Sequence, residues 1–306
     1  MAKIIYYSDE LNEEFSEAKI EPRVIDEKYK YNHNGFWNLC SYVLQNIISI
    51  PIKVGYMKLK LHHKFVGKEK VKAFKKEYKG GIFLYGNHTL DFADTFIPSQ
   101  IFYPKRNFLI VNSENISMKG IGWFVEMLGA IPIPTFLRGV KVEGSDGIKA
   151  TNNFVSAIEK KIKKGYTISI YPEAHIWPYY TKIRNFRDAS FNYPVKFDVP
   201  SFCFTNTYQK RRNKFKVVTY IDGPFYPNKE LKSKKEMQKD LRNRIYETMV
   251  KRSKNNNIEL IKYIKKEDNV WKRCCLFYAW GLIWNKIEGI VFFKIWIIIW
   301  EMLTYV

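Results

Sequence analysis

From residue 81 onward, short apolar runs alternate with amphipathic stretches. That alternation is what most narrows the folds open to this chain. GIFLYG (81–86), NFLIVN (107–112), AIPIP (130–134), YTISIY (166–171), VPSFCFTNTY (199–208) and KFKVVTYI (214–221) have the length and composition of strands. Between them, DFADTFIPSQIF, SMKGIGWFVEMLG (117–129) and a segment opening at Ser145 or Asp146 predict helices. In the last of these, Phe154, Val155, Ile158 and Ile162 recur near the helical period, and Gly165 closes the run. Residues 232–252 predict a polar, basic helix. Strands joined through helices favour parallel pairing with helices on the sheet faces. We therefore expect an α/β fold with a mixed, mostly parallel sheet flanked by helices. Sites in such sheets gather at the carboxyl ends of strands.

The flanks read differently. Residues 1–35 are polar and acidic and predict a loose N-terminal arm. No apolar signal-peptide core is visible in MAKIIYYSDELNEEF. Residues 36–252 form the expected main domain, beginning with an apolar helix at 36–54 that breaks near Pro51. Residues 253–306 form an apolar tail, with the runs CCLFYAWGLIW (274–284) and GIVFFKIWIIIW (289–300). Each run is too short to span a bilayer. Two readings stand for these N-terminal and C-terminal apolar segments: helices associated with a membrane surface, or ordinary helices covering the core.

Charge bounds the partner. The chain has 51 Lys+Arg against 30 Asp+Glu, a formal net charge of +21. That excess suits an anionic membrane surface or a nucleic acid, although a Lys-rich composition bias produces the same number. A Lys-rich stretch from Lys53 to Lys79 directly follows the first apolar helix. Clusters such as QKRRNKFK (209–216) would serve nucleic acid, but no zinc-finger, KH or RRM signature accompanies them, so no nucleic-acid partner is expected. Cys40, Cys203, Cys274 and Cys275 form no CxxC pair, which argues against a disulfide scaffold or zinc site and for a reducing compartment. His62-His63 lacks a third ligand at useful spacing, so no metal is expected.

Two loops at strand ends carry the chemistry: GNHTLDFAD (86–94) and YPEAH (171–175). A histidine side chain can take a proton from a hydroxyl and return it, and His88 is placed to do so. A carboxylate close in sequence can hold its other nitrogen, and Asp94 or Asp91 fits. No serine or cysteine lies beside it as a nucleophile. The pattern suits direct attack by a substrate hydroxyl rather than a covalent enzyme intermediate.

Four blocks in order carry a resemblance to the glycerolipid acyltransferase superfamily, typified by 1-acylglycerol-3-phosphate acyltransferases. They are NHTLDFAD, LGAIPIP (128–134), YPEAH…FRDAS (171–190) and VPSFCF (199–204). The resemblance implies an O-acyltransferase of phospholipid biosynthesis. Its donor would be an acyl-CoA or acyl carrier protein thioester, its acceptor a lysophospholipid such as 1-acylglycerol-3-phosphate. It further implies no cofactor and a site on the cytoplasmic face of a membrane. It makes His88 the general base, and Asp94 its partner although one residue beyond the family spacing. Asn87 and Glu173 would belong to the substrate site. The family's phosphate-binding arginines are missing: the second block holds Thr135 where arginine is usual, and the third reads Glu173, Ala174, His175, Ile176. His175, Arg184 or Arg187 would then serve the acceptor phosphate. The missing arginines also leave open a catalytically inactive, lipid-binding relative.

Overall fold

The computed structural model describes residues 3–15, 20–31 and 34–266. The tail runs at 274–300, with Cys274 and Cys275, lie outside the described residues. The chain divides into two units: Met1–Ile5 with Asp9–Tyr263, and Tyr6–Ser8 with Ile264–Val306.

The strands are β1 (Lys3–Tyr7), β2 (Lys64–Val66), β3 (Ile82–Gly86), β4 (Asn107–Val111), β5 (Ala130–Pro132), β6 (Thr167–Ile170), β7 (Ser201–Arg211), β8 (Lys214–Phe225) and β9 (Ile261–Lys265). β1 and β9 form a two-stranded sheet. The other strands form a seven-stranded sheet in the order β2-β8-β7-β3-β6-β4-β5. Every neighbouring pair is parallel except the β7–β8 hairpin. The sheet is therefore mixed and mostly parallel, as the alternation predicts. β2 is new: it lies inside the Lys-rich stretch, where charge conceals a three-residue strand on the sheet edge.

β3 is central, and Ile82, Phe83, Leu84 and Tyr85 are all fully buried. A strand covered on both faces reads as a continuous apolar run, because alternate side chains enter opposite cores. Ile82 and Leu84 join one core with Phe96, Phe102, Phe202 and Phe204. Phe83 and Tyr85 join the other with Phe154, Ile158, Leu241 and Ile245. The second core is roofed by helix Gly147–Lys163, whose N-cap is Asp146 rather than Ser145; its side chain accepts from the Lys149 N–H. Helix Lys234–Ser253 completes that roof. It opens with a Ser233–Glu236 capping box and buries Leu241, Ile245 and Met249.

The N-terminal arm is not loose. Ile25 is 1% exposed within the second core, and its backbone pairs with Thr135 through the Thr135 hydroxyl and the Thr135 N–H. The 36–54 run is not one regular helix. It is α-helical over Gly35–Val43, widens to a π-helix over Leu44–Ile48, and resumes over Ile52–Lys60 after Pro51. Among the described residues no helix is long and apolar enough to cross a membrane.

Candidate active site

β3 ends at Gly86, and a Cβ there would meet the Phe204 ring at 2.1 Å. Only glycine lets the chain leave the sheet this close to β7. Asn87 then fastens the exit. Its side-chain N–H donates to the Asn206 carbonyl at 3.1 Å, and its oxygen accepts from the Asn206 N–H at 2.7 Å.

The next residue is His88, whose Nδ1 lies 2.9 Å from Asp94 Oδ2. The same oxygen accepts the backbone N–H groups of Thr89 and Leu90, each at 2.9 Å. The other oxygen accepts from Asn206 Nδ2 at 3.2 Å. Asp94 is 1% exposed, while the His88 side chain keeps 24% of its surface open. A one-turn helix, Asp91–Asp94, produces this. It puts Asp91 at its start and turns Asp94 back toward the loop. Of the two acids that the sequence offers, Asp94 carries the contact with His88.

The loop is braced from several elements. The Tyr171 ring stacks on His88 with centroids 4.4 Å apart and planes 17° off parallel, and its hydroxyl donates to the Asp94 carbonyl at 2.5 Å. Burial and the nearby Asp94 charge hold the Tyr171 phenol well above its ordinary pKa, so it stays a donor. The N–H groups of Trp177 and Tyr179 donate to the carbonyls of His88 and Thr89. The Tyr208 hydroxyl lies 2.8 Å from Thr89 Oγ1.

Glu173 acts through the loop backbone. It is 4% exposed; one oxygen accepts the His88 N–H and the other the Arg184 N–H, both at 3.1 Å. Burial raises its pKa, and Arg184 together with the two backbone donors works against that rise. Arg184 itself corrects the sequence reading. It is 1% exposed, and its guanidinium meets Glu173 at 3.5 Å, the carbonyls of His175 and Glu10, and the face of Trp177. Its charge is used inside the protein rather than offered to an acceptor phosphate. His175 Nδ1 lies 3.1 Å from Glu14, and Arg187 donates to Asn12 at 2.9 Å, so the N-terminal arm meets both. Ala174 sits at φ +64, a left-handed conformation that favours glycine.

A relay that the sequence reading missed runs behind Asp94. Asn206 Oδ1 accepts from the Thr219 hydroxyl at 2.6 Å, and Thr219 Oγ1 lies 2.6 Å from His63 Nε2. Because the Thr219 proton goes to Asn206, His63 must be the donor in the second contact. Burial, then Lys68, lowers the His63 pKa to about 3, so the imidazole is neutral. The polar triplet Thr205-Asn206-Thr207 inside an apolar strand was the available signal. Among the described residues no cluster of His, Cys, Asp and Glu could hold a metal. The buried Cys203 thiol is pushed well above its ordinary pKa by burial and has no nucleophile's environment.

Residues 62–205 match the family model described as Acyltransferase, a span that contains both loops with His63, Asn87, His88, Asp94 and Glu173 and that ends within β7, one residue before Asn206. No curated protein matches the chain. Among solved structures, the chain is similar to the crystal structure of the 1-acyl-sn-glycerophosphate (LPA) acyltransferase PlsC from Thermotoga maritima. The identity is 16% over 70% of this chain and 87% of that one, with a TM-score of 0.42.

Proposed function

We propose that the protein transfers a fatty acyl group from a thioester to the hydroxyl of a lysophospholipid, a reading supported by the match of residues 62–205 to the acyltransferase family model. His88 is the general base. The observation that carries this reading is the His88–Asp94 contact at 2.9 Å, on a half-buried ring whose partner is itself held by three further donors. With Nδ1–H donated to Asp94, Nε2 is left as the basic nitrogen. It accepts the acceptor's hydroxyl proton as that oxygen attacks the thioester carbonyl. The tetrahedral intermediate then collapses, the carbon–sulfur bond breaks, and the imidazolium returns the proton to the departing thiolate. Among the described residues no serine hydroxyl or cysteine thiol hydrogen-bonds to the His88 ring, which favours direct transfer over an acyl-enzyme.

The donor is an acyl-CoA or acyl carrier protein thioester, and 1-acylglycerol-3-phosphate is the first acceptor to test. Phosphate recognition falls to Arg187 and His175, the candidates with exposed or half-buried side chains. Labelled thioester supplied with a panel of lysolipids tests the reading. Transfer that disappears in His88→Ala supports it; lipid binding without transfer in the wild type would make the chain an inactive relative.

The protein works at a membrane surface on the cytoplasmic side. The helical segment Gly35–Val43 and its continuation expose several large apolar side chains. Ser41, Gln45, Asn46 and Ser49 are buried, whereas Phe36 is 75% exposed, Leu39 60% and Leu59 77%. Exposed apolar side chains beside a Lys-rich stretch match the interface of an anionic bilayer. Phe36→Asp with Leu39→Asp should release the protein from phosphatidylglycerol vesicles in a sedimentation assay. Unchanged sedimentation would place the attachment elsewhere.

A further inference from the structure

The sheet carries a second cleft, at its other end. β3, β4, β5 and β6 run parallel, so their amino ends lie opposite the loop that carries His88. At those amino ends is a cleft of about 540 Å³. Its walls include Phe108 near the start of β4, Ala130 at the start of β5 and Tyr166 just before β6.

The charge in this cleft is one-sided. Arg106, Lys160, Lys161, Lys163 and Lys164 all line it. Lys163 is paired with Glu159. The lining carboxylate, Glu126, faces Arg23 at 3.4 Å. Among the described residues no carboxylate forms an ion pair with Arg106, Lys160, Lys161 or Lys164. Arg106 is only 7% exposed and its Nε has no hydrogen-bond partner. Its Nη2 donates to Ser41 Oγ, and its guanidinium lies 4.9 Å from the Phe108 ring centroid and 5.5 Å from that of Tyr166. The Lys161 ammonium also lies over the Phe108 ring, 4.9 Å from its centroid.

A buried guanidinium without a counter-charge is costly, and a lysine beside it adds repulsion. Burial and the positive charges of Arg106, Lys164 and Lys160 bring the Lys161 pKa down to about 8. An interior arrangement of this kind is relieved by an anion. Arg and Lys with a nearby hydroxyl are the side chains that take phosphate, the guanidinium by two parallel N–H bonds and the ammonium as a point charge.

We propose that this amino-end cleft binds a phosphate group, with Arg106 and Lys161 as its principal ligands, and that it is separate from the His88 site. Its volume exceeds that of a bare phosphate, so the ligand is a phosphate ester whose organic part lies along the Tyr29 and Tyr166 walls. Two sources share that chemistry: an anionic phospholipid headgroup and a soluble phosphate ester. Trp37, Asn38 and Ser41 of the helix that shows Phe36 and Leu39 outward also line the cleft.

Residue-resolved amine labelling tests the site. The full chain in neutral detergent is dimethylated at lysines and read by mass spectrometry with inorganic phosphate, glycerol 3-phosphate or micellar phosphatidate, against chloride at equal ionic strength. At a ligand concentration of ten times Kd, labelling of Lys161 and Lys164 should slow about tenfold. Protection by glycerol 3-phosphate marks a soluble ligand, and protection by phosphatidate alone marks a headgroup. Arg106→Gln should abolish the effect. As that residue is buried, the surface double variant Lys160→Gln/Lys164→Gln gives a second reading at Lys161 and should weaken protection. His88→Ala should retain it. Equal labelling in all ligands, protection that persists in both cleft variants, or protection lost in His88→Ala would overturn the proposal.

Discussion

The two ends of one parallel sheet handle charge in opposite ways. At the carboxyl ends the two buried carboxylates of the site each have a partner: Asp94 the His88 ring, Glu173 the Arg184 guanidinium. At the amino ends Arg106 and Lys161 are crowded together, and among the described residues neither has a carboxylate partner. Pairing of this kind keeps the geometry around His88 fixed before any substrate arrives, as the proposed base catalysis requires. Unbalanced charge does the reverse: it leaves strain that a bound anion relieves. Removing charge should therefore harm the first end and help the second, and each of the following substitutions can break or sharpen that contrast.

The largest effect is expected at His88. Replacing it with alanine should lower acyl transfer by at least about 10²–10⁴-fold, the usual contribution of a positioned base, with little change in melting temperature. Asp94→Asn should come close to that loss, whereas Asp91→Asn should cost far less. A greater loss from Asp91→Asn in steady-state kinetics would show that Asp94 is not the orienting acid.

Glu173→Gln comes next. It leaves Arg184 buried and without its carboxylate, a change that typically costs about 3–5 kcal/mol. A calorimetric melt should show it. Activity should fall as well, because the His88 N–H loses a charged acceptor. Adding Arg184→Met should restore much of the stability while leaving activity low. Recovery of both would mean that Glu173 serves the fold and not the loop.

A smaller effect belongs to the relay. Asn206→Ala removes a donor from Asp94 and the acceptor of Thr219, and should reduce kcat by about tenfold, equivalent to about 1.4 kcal/mol, with KM little altered. A matching rise in KM without a kcat change would assign Asn206 to substrate binding instead.

The smallest effect has the opposite sign. Lys161→Met at the amino ends should raise stability at neutral pH by roughly 1 kcal/mol, since it removes a half-buried, repelled charge. The pH dependence follows from its lowered pKa. An unfolded chain holds this proton up to about pH 10.5, while the folded protein releases it near 8. Between those values the unfolded state binds more protons, so the wild type gains stability as pH rises, and Lys161→Met should lack that gain. Denaturant titrations at pH 7 and pH 10 read the difference. Destabilisation by Lys161→Met at neutral pH would end the contrast between the two sheet ends.

Much of the carboxyl-end site was legible. Gly86, Asn87 and His88 follow an apolar run that could only be a buried strand, and a histidine delivered there stands out. Arg184 was read incorrectly because a basic residue near an expected phosphate site looks like a ligand. Nothing local reveals that Glu173 and the Glu10 and His175 carbonyls enclose it. The Lys-rich stretch concealed β2, since its three residues pair on a sheet edge where a charged side chain costs little.

The sequence by itself determined the elements and the histidine delivered at a strand end. Hydrophobic period, caps and strand-end glycine are set by neighbours within a few residues, so they are readable without a structure. Only the tertiary structure decided which acid meets His88, where Arg184 spends its charge, and that Ser41, Arg106 and Lys161 share one cleft. Those outcomes depend on contacts such as Asp94 to Asn206 and Arg106 to Ser41, made between segments far apart in the chain. The energy of a charge is fixed by what surrounds it in space, and spacing along the chain carries no record of that.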